Sequence, residues 1–427
     1  MKKRGVTAGL AVTAAALMVA GCGSTRPAGP GEAPVIVHGV ALREPVVSPR
    51  PYGAADAAFG LKVLGAWCGT DDDANLVLSP SSLASGLGMA YLGARGSTAQ
   101  AMAGVLHLPA TGGQALEAGL QARSAALRDL DGPGVTVSST DQVWDDPSVQ
   151  TLRSYLNAVA TGYGAGVAHA PLLSNPDKAE QEINQAIATA TRGHIPQLLR
   201  PGMLQDDAWV LTDALYLQAA WATPFQAEQT ASAPFTTAAG RWATASYLNG
   251  AGYRAFQMAG WTAVSLPYRG GKLAMVALLP PSGAASCAMP AASVLRTITT
   301  TLAGHASVAG LSDDDGIALP KVNLSTRVGL KDVLSSLGMG VAFTSAADFS
   351  GLSPQACCIG FVEQAATLQV GEKGTVASAA TAVGVVASAA QAPKRVITFD
   401  RPYLLLVTDT STGEPLLMAR VADPAAH

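Results

Sequence analysis

The stretch that decides the fold is residues 372–393, EKGTVASAATAVGVVASAAQAP. From Thr375 to Pro393 only the last residue is a proline and no side chain is charged, and nearly all are small or β-branched. Apolar runs precede it at 358–370 and follow it at 396–408, and both have the composition of buried strands. Long connections without structure of their own are rare inside a compact domain, so this stretch is predicted to be a functional loop.

The same stretch has the composition of a strand that pairs readily with an exposed edge. If it entered its own sheet, alternate residues would face the interior, beginning with Thr375, Ala377, Ala379 and Thr381. These side chains fit a packed interior without overpacking and without an unpaired charge. A flexible linker or an alanine-rich helix is the alternative. Too little chain follows residue 396 for a further stable domain, which disfavours the linker.

A series of different short motifs extends in order over most of the remaining chain. They include Asn75-Leu-Val-Leu-Ser79-Pro80, Leu211-Thr212-Asp213, Leu266-Pro267-Tyr268, Asp348-Phe349-Ser350-Gly351 and Arg401-Pro402-Tyr403. Together with the loop, this order resembles the serpin family. The resemblance implies an α+β fold in which helices surround a large mixed sheet, with smaller sheets and an exposed reactive-centre loop at about 372–395. Helices dominating the first half and hairpins the second agree with an α+β class.

The resemblance also implies two groups of functional residues. The hinge of the loop would comprise Glu372, Gly374, Thr375, Ala377, Ala379 and Thr381. The gate that controls opening of the main sheet would comprise Ser79, Ser82, Asp213, Gln364 and Trp221. Asp213 stands where the family usually has Asn, and Gln364 where many members have His. These departures affect the energetics of the gate rather than the fold.

A serpin-type inhibitor acts as a suicide substrate for a serine protease, so the resemblance implies a scissile bond in the loop. The usual family spacing from Glu372 places it at Ser388–Ala389, whereas counting back from Pro402 ends near Gln391. The predicted range is therefore 387–391. Small apolar residues there favour elastase-like or subtilisin-like proteases with a shallow pocket. The basic pair at 394–395 is an alternative site, interpreted as a solvated end of the loop.

Two other functions stay open on the sequence. A serpin-fold protein could bind a ligand or partner without trapping proteases. A lipid-anchored serine hydrolase would need a Ser–His–Asp set assembled in space, because none of the usual catalytic motifs is present. The chain is therefore not expected to be an enzyme, and neither a cofactor nor a metal is predicted. A net charge of −3 gives no basis for nucleic-acid binding, and a monomer is expected.

The N-terminus has the pattern of an export signal. Lys2, Lys3 and Arg4 precede an apolar run at 6–20, and Val19-Ala20-Gly21-Cys22 resembles a bacterial lipobox with Cys22 as the lipidated residue. We therefore expect a leader at 1–22, a Pro/Gly-rich tether at 23–51 and one domain at 52–427. The protein would lie outside the cytoplasm and contact the membrane only through its lipid anchor. Ordinary secretion is the alternative.

The remaining cysteines are Cys68, Cys287, Cys357 and Cys358. An exported chain permits disulfides, but their connectivity stays open. The adjacent pair is interpreted as buried or paired structural cysteine. Among the secondary elements, residues 209–218 are predicted to form one central strand, and hairpins are predicted around 268–271 and 409–413.

Overall fold

The predicted α+β class is confirmed by a computed structural model, which describes residues 34–139, 141–205, 207–304, 308–375 and 395–426. Several predicted sites lie outside these residues: Cys22, Ala377, Ala379, Thr381, Ser388 and Ala389. None of the described helices has the length and hydropathy to cross a bilayer.

The helices in the described residues are α1 (Arg50–Cys68), α2 (Pro80–Gly93), α3 (Gly96–Leu106), α4 (Gly113–Arg128), α5 (Arg153–Tyr163), α6 (Pro176–Ala190), α7 (Ala292–Ala303) and α8 (Lys331–Leu334). Short 3₁₀ or π turns span Ala227–Gln229, Ser335–Met339 and Gly340–Phe343. Local sequence explains the start of α2: Pro80 lies in its first turn, and the Ser79 hydroxyl accepts a hydrogen bond from the Ser82 N–H at 3.4 Å.

The strands are β1 (Ile36–Val37), β2 (Leu76–Leu78), β3 (Val135–Ser139), β4 (Gln142–Asp145), β5 (Val167–His169), β6 (Trp209–Thr212), β7 (Leu215–Ala220), β8 (Ala231–Thr236), β9 (Trp242–Met258), β10 (Trp261–Pro267), β11 (Leu273–Leu279), β12 (Leu311–Pro320), β13 (Val322–Gly329), β14 (Glu363–Gly371), β15 (Gly374–Thr375), β16 (Val396–Thr398), β17 (Tyr403–Asp409) and β18 (Pro415–Val421). Both predicted hairpins are confirmed, as β10–β11 and β17–β18.

These strands form three sheets. The largest has the order β16-β12-β9-β10-β11-β17-β18-β2, with β8 paired to β9. A second has the order β13-β14-β15-β7-β3, and a third the order β1-β5-β4-β6. Strand β17 separates two apolar cores: Leu404 belongs to the core beneath α1 and α2, and Leu405 to the core between the sheets. This strand is buried on both faces, as its uninterrupted apolar sequence indicates.

The prediction of one continuous strand over residues 209–218 is wrong, because the structure has two separate strands there. The chain forms β6 in the four-stranded sheet, breaks at Asp213 and Ala214, and continues as β7 in the five-stranded sheet. At the break, Ala214 bridges Ala365 of β14 in a parallel sense. The break has a local cause, because the buried Asp213 carboxylate is directed to polar partners instead of an apolar core.

The described part of the predicted tether is not free of the domain. β1 pairs antiparallel with β5. Further along, the Val40 N–H donates to the Asn157 Oδ1 at 2.8 Å, and the Leu42 N–H donates to the Thr161 Oγ1 at 3.0 Å. α1 then begins at Arg50. The predicted boundary at residue 52 is therefore too late, since residues from 34 onward belong to the same compact unit. Hydrogen bonds from its backbone hold the segment from residue 34 to the domain. The Pro/Gly-rich composition of the segment does not indicate these hydrogen bonds.

The four cysteines within the described residues divide into two pairs. Cys68 at the end of α1 and Cys287 before α7 form a disulfide. Cys357 and Cys358 are free thiols, and both are exposed. The interpretation of the adjacent pair as buried or paired structural cysteine is therefore wrong, because both residues are exposed and their sulfur atoms are not bonded.

Candidate functional site

The hinge begins as a strand inside the five-stranded sheet. After β14, the chain turns through residues 371–373 into β15, which lies between β14 and β7. Thr375 is paired with Val370 on one side and Ala219 on the other, and it is 0% exposed. Gly374 has a φ of 149°, and a Cβ there would collide with the Ala219 carbonyl oxygen. Only glycine fits that backbone at such close approach.

Glu372 fixes the turn with which the predicted hinge begins. Its Oε1 accepts hydrogen bonds from Lys321 Nζ at 2.9 Å and from Thr230 Oγ1 at 3.0 Å. Partial burial alone would raise the pKa of Glu372, but the hydrogen bond from Lys321 leads the interactions that hold it below its ordinary value. The Glu372 carbonyl accepts from the Phe225 N–H at 2.8 Å. The turn is therefore held by both its side chain and its backbone.

Trp221 lies beside the predicted hinge and apart from the other predicted gate residues. Its Nε1 donates to the Gly371 carbonyl at 2.8 Å, and its ring stacks on Tyr268 with centroids 4.5 Å apart. The Tyr268 hydroxyl is hydrogen-bonded to Thr375 Oγ1. We call this group the hinge cluster; it consists of Trp221, Tyr268, Glu372, Gly374 and Thr375. The structure does not bring Trp221 together with the other predicted gate residues, because Trp221 follows β7 whereas Asp213 precedes it.

The other four predicted gate residues are brought together beneath the sheet, and all four are buried. Gln364 on β14 donates through Nε2 to Asp213 Oδ2 and to the Ser79 carbonyl, each at 3.1 Å. Its Oε1 accepts from the Ser79 N–H at 3.0 Å. Gln364 therefore joins β14 both to the start of α2 and to the break between β6 and β7. Any separation of β14 from β7 at this level must break the contact between Gln364 and Asp213.

A fifth residue, Asp141, completes the cluster and was missed by the sequence analysis. The Ser82 hydroxyl contacts both Asp141 Oδ1, at 3.0 Å, and Asp213 Oδ1. It has one proton to donate, so protonation of one carboxyl provides the donor that the second contact requires. Burial, followed by the nearby Asp141 charge, raises the pKa of Asp213 well above its ordinary value. We call Ser79, Ser82, Asp141, Asp213 and Gln364 the gate cluster.

Replacement of Gln364 by alanine should weaken the gate. Ser79 and Asp213 would lose buried hydrogen-bond partners, and we expect a loss of about 1–3 kcal/mol in the free energy of unfolding. Urea unfolding followed by fluorescence measures it. Gln369→Ala is the matched control, since Gln369 lies exposed on the same strand. Equal losses for the two variants would contradict the role assigned to Gln364.

The raised pKa of Asp213 predicts a pH dependence. Because the folded-state pKa exceeds the unfolded-state value, the stabilisation is complete below the unfolded pKa of about 3.9 and is lost as pH rises through the folded pKa. Asp213→Asn removes this titration. Its stability relative to the native sequence should therefore increase from mildly acidic to mildly alkaline pH, as measured by urea midpoints. Parallel pH profiles for the two proteins would refute the assignment.

A serine-hydrolase site does not assemble around the Asp–His pair of the described chain. His169 Nδ1 lies 2.5 Å from Asp145 Oδ1. The nearby Thr151 hydroxyl donates to Asp145 Oδ2 at 2.6 Å. This hydroxyl is therefore bound to the carboxylate and not to the imidazole, to which a catalytic nucleophile would be bound. Asp145 and His169 are also register partners of β4 and β5. Their contact therefore has a structural role in joining two strands.

The described side chains include no group of three or more His, Cys, Asp or Glu that could hold a metal ion.

An α+β protein whose five-stranded sheet admits the start of its own loop has the architecture of a serpin. A family model described as "Serpin (serine protease inhibitor)" matches residues 54–424. The chain belongs to the serpin family. It is 30% identical over 356 residues to an uncharacterised serpin-like protein of Thermococcus kodakarensis, covering 82% of this chain and 81% of that protein. It is 28% identical over 364 residues to leukocyte elastase inhibitor of Bos taurus, covering 82% and 93% of the two chains.

Solved structures agree on the fold. Native tengpin, a thermophilic serpin, superposes with a TM-score of 0.76 at 21% identity, over 92% of this chain and 100% of that one. Uncleaved ovalbumin superposes with a TM-score of 0.74 at 22% identity, over 88% and 100% of the respective chains. Helices around multiple sheets, with a large mixed sheet, are thus shared with both proteins.

Proposed function

We propose that this protein inhibits serine proteases as a suicide substrate, with the loop after Thr375 as bait. The observation that carries the proposal is β15: two residues of the hinge already occupy a strand position between β14 and β7. β15 thus separates β14 from β7 at one end. At the other end, near Asp213, Ala214 bridges Ala365 of β14 directly. The sheet is therefore parted at the hinge and joined at the gate, an arrangement that would favour insertion of an additional strand from the hinge end.

The register of β15 indicates what insertion would bury. Thr375 pairs with Val370 and Ala219, both antiparallel. Extending this register places Ala377 opposite Leu368 and Leu217, and Ala379 opposite Ala366 and Leu215. These four partners on β14 and β7 are buried. Small side chains suit such positions, since a larger residue would overpack them.

The same register places Thr381 opposite both Gln364 and Asp213. Insertion to that depth would replace the contact between these two gate residues with contacts to the loop. The inserted segment would also satisfy its backbone N–H and C=O groups on both sides, which a closed sheet cannot offer it. Opening of the gate is thus opposed by a few side-chain hydrogen bonds and followed by formation of two backbone ladders.

In this mechanism the protease serine attacks the carbonyl carbon of Ser388. The bond to Ala389 breaks, and the new amine of Ala389 takes a proton from the protease histidine. Ser388 is left as an ester of the protease. Insertion of the freed strand carries the attached protease along and distorts its catalytic site, so hydrolysis of the ester stalls. The small residues around the bond favour elastase-like or subtilisin-like targets.

The relatives support this class of target only by their names, which include leukocyte elastase inhibitor. We further propose export with lipid attachment at Cys22, on the basis of the N-terminal sequence alone.

Incubation of the purified protein with an elastase-like and a subtilisin-like protease tests the proposal. We expect a complex that survives denaturing electrophoresis and a released peptide that begins at Ala389. Loop-cleaved protein should melt at a clearly higher temperature than intact protein. A trypsin-like protease is the control and should yield little complex. Cleavage without a complex but with higher stability would indicate a non-inhibitory serpin, and cleavage with unchanged stability would refute insertion.

A further inference from the structure

Two adjacent thiols lie at the edge of a cavity that the proposed function does not use. Cys357 and Cys358 are both exposed, and their Sγ atoms are 3.1 Å apart. They lie in the segment that leads into β14. The disulfide between Cys68 and Cys287 indicates that this chain folds under oxidising conditions, so a second pair of accessible thiols at contact distance is chemically significant.

The cavity beside them has a volume of about 300 Å³. One wall is formed by β6, through Trp209 and Leu211, and another by Phe361 immediately before β14. Cys357 and Cys358 belong to its lining. The thiols are therefore placed where the chain that anchors β14 meets the strand that continues into β7.

We propose that Cys357 and Cys358 are a reversible oxidation site that forms a disulfide between neighbouring residues by exchange with a small-molecule disulfide. The Cys357 thiolate attacks one sulfur of the reagent, which forms a mixed disulfide and releases one reagent thiolate. The Cys358 thiol then loses its proton to solvent and attacks Cys357 Sγ, which displaces the second reagent thiolate. Two electrons pass from the protein to the reagent, and two equivalents of reagent thiol result.

The order of attack follows from the surroundings of Cys358. Partial desolvation, together with the adjacent Cys357 thiol, raises the pKa of Cys358 to about 11. Cys358 is therefore mainly protonated near neutral pH and suits the second step, in which it resolves the mixed disulfide. The Lys331 ammonium acts in the opposite direction on Cys358, because a nearby cation favours the thiolate.

The product would be easily reduced. Neighbouring Cα atoms across a trans peptide are about 3.8 Å apart, whereas the Cα atoms of ordinary disulfides are at least about 4.4 Å apart. No cis peptide occurs in the described chain. A disulfide closed at this spacing is strained, and strained, exposed disulfides are the labile ones. The pair therefore suits a redox response, whereas the Cys68–Cys287 disulfide spans 219 residues and has a Cα separation of 5.7 Å.

Oxidation should also restrict the chain leading into β14. The Ile359 N–H donates to the Ala342 carbonyl at 2.9 Å, immediately after the pair. A small ring at 357–358 limits the backbone rotations that open this hydrogen bond. Amide exchange at residues 359–362 should then be slower in the oxidised protein than in the reduced one.

The test treats the folded protein with oxidised glutathione and examines the peptide containing residues 357–358 by mass spectrometry. The native sequence should lose two hydrogens without retaining glutathione, and mild dithiothreitol should reverse this. Cys358→Ser should instead retain one glutathione on Cys357, because the resolving thiol is absent. Cys357→Ser should acquire glutathione more slowly than Cys358→Ser, since desolvation, the leading cause of the raised pKa of Cys358, remains in this variant.

Retention of glutathione by the native sequence, or persistence of both thiols, would overturn the proposal. Equal amide exchange in the oxidised and reduced proteins would overturn the effect on β14. Peptide mapping keeps these results independent of Cys22 and of the Cys68–Cys287 disulfide. None of the readouts depends on protease inhibition or on insertion of the loop, so the outcome is separate from that of the proposed function.

Discussion

Replacement of Thr375 by arginine is expected to abolish the covalent protease complex while loop cleavage continues. Thr375 is 0% exposed between β14 and β7, and its hydroxyl is bonded to Tyr268. A guanidinium at this position would be buried without a carboxylate partner, at a cost of several kcal/mol. Insertion would therefore stop at its first residue, and the acyl-enzyme would be hydrolysed. Denaturing electrophoresis separates the complex from cleaved protein.

Two further variants serve as controls for this experiment. Thr375→Ser keeps the hydroxyl and should retain the complex. Gln369→Arg places the same charge on an exposed position of β14 and should also retain it. If Thr375→Arg formed the complex as efficiently as Gln369→Arg, then burial of the hinge residue would not be required for trapping.

Replacement of Arg123 by methionine should cause the largest loss of stability among the proposed changes. Arg123 is buried and donates to Asp56 Oδ2 at 2.7 Å and to Ser85 Oγ at 2.8 Å. It also forms an ion pair with Glu414 at 2.7 Å. Removal of one partner from a buried ion pair typically costs about 3–5 kcal/mol, because the remaining charge is left uncompensated.

The loss should depend on pH. Burial raises the pKa of both Asp56 and Glu414, and Arg123 opposes this effect. Without Arg123 their folded-state pKa values rise further, so more stability is lost as pH increases above the unfolded-state values. Urea unfolding at several pH values measures this dependence. Arg128→Met, at the exposed end of the same helix, is the control and should change stability by less than about 0.5 kcal/mol. A uniform loss at all pH values would contradict the electrostatic origin.

The arginine experiment on Thr375 depends on a part of the site that the sequence could predict. Glu372, Gly374 and Thr375 are neighbours in the chain, and the resemblance of this local stretch to the serpin family implied a hinge without knowledge of distant contacts. The resemblance implied Ser79 and Ser82 in the same way, through a local motif in which a strand is followed by Pro80 and a helix. Such local motifs can be recognised in the sequence because their residues are close together in the chain.

Distant partners were not predictable in the same way. Asp141 joins the gate cluster through Ser82, which is 59 positions earlier, and no local pattern marks it. Arg123 approaches Asp56 and Glu414 from separate parts of the chain, so the sequence offers no sign of an ion cluster. The contact of Trp221 with Gly371 was not predictable either, because the motif of Trp221 indicates its strand but not the end of the sheet at which its ring lies.

By itself, the sequence determined the serpin family, the α+β class and the uncharged loop whose alternate residues are small, because these features consist of composition, periodicity and motif order. The tertiary structure alone decided which cysteines pair, where the central strand breaks, how residues 34–49 pack, and that Thr375 is already inside the sheet. Gln364 and Ser79 illustrate the reason, since 285 positions separate them in the chain and yet they share hydrogen bonds. Such contacts depend on the folded path of the whole chain, and burial gives them their energetic weight.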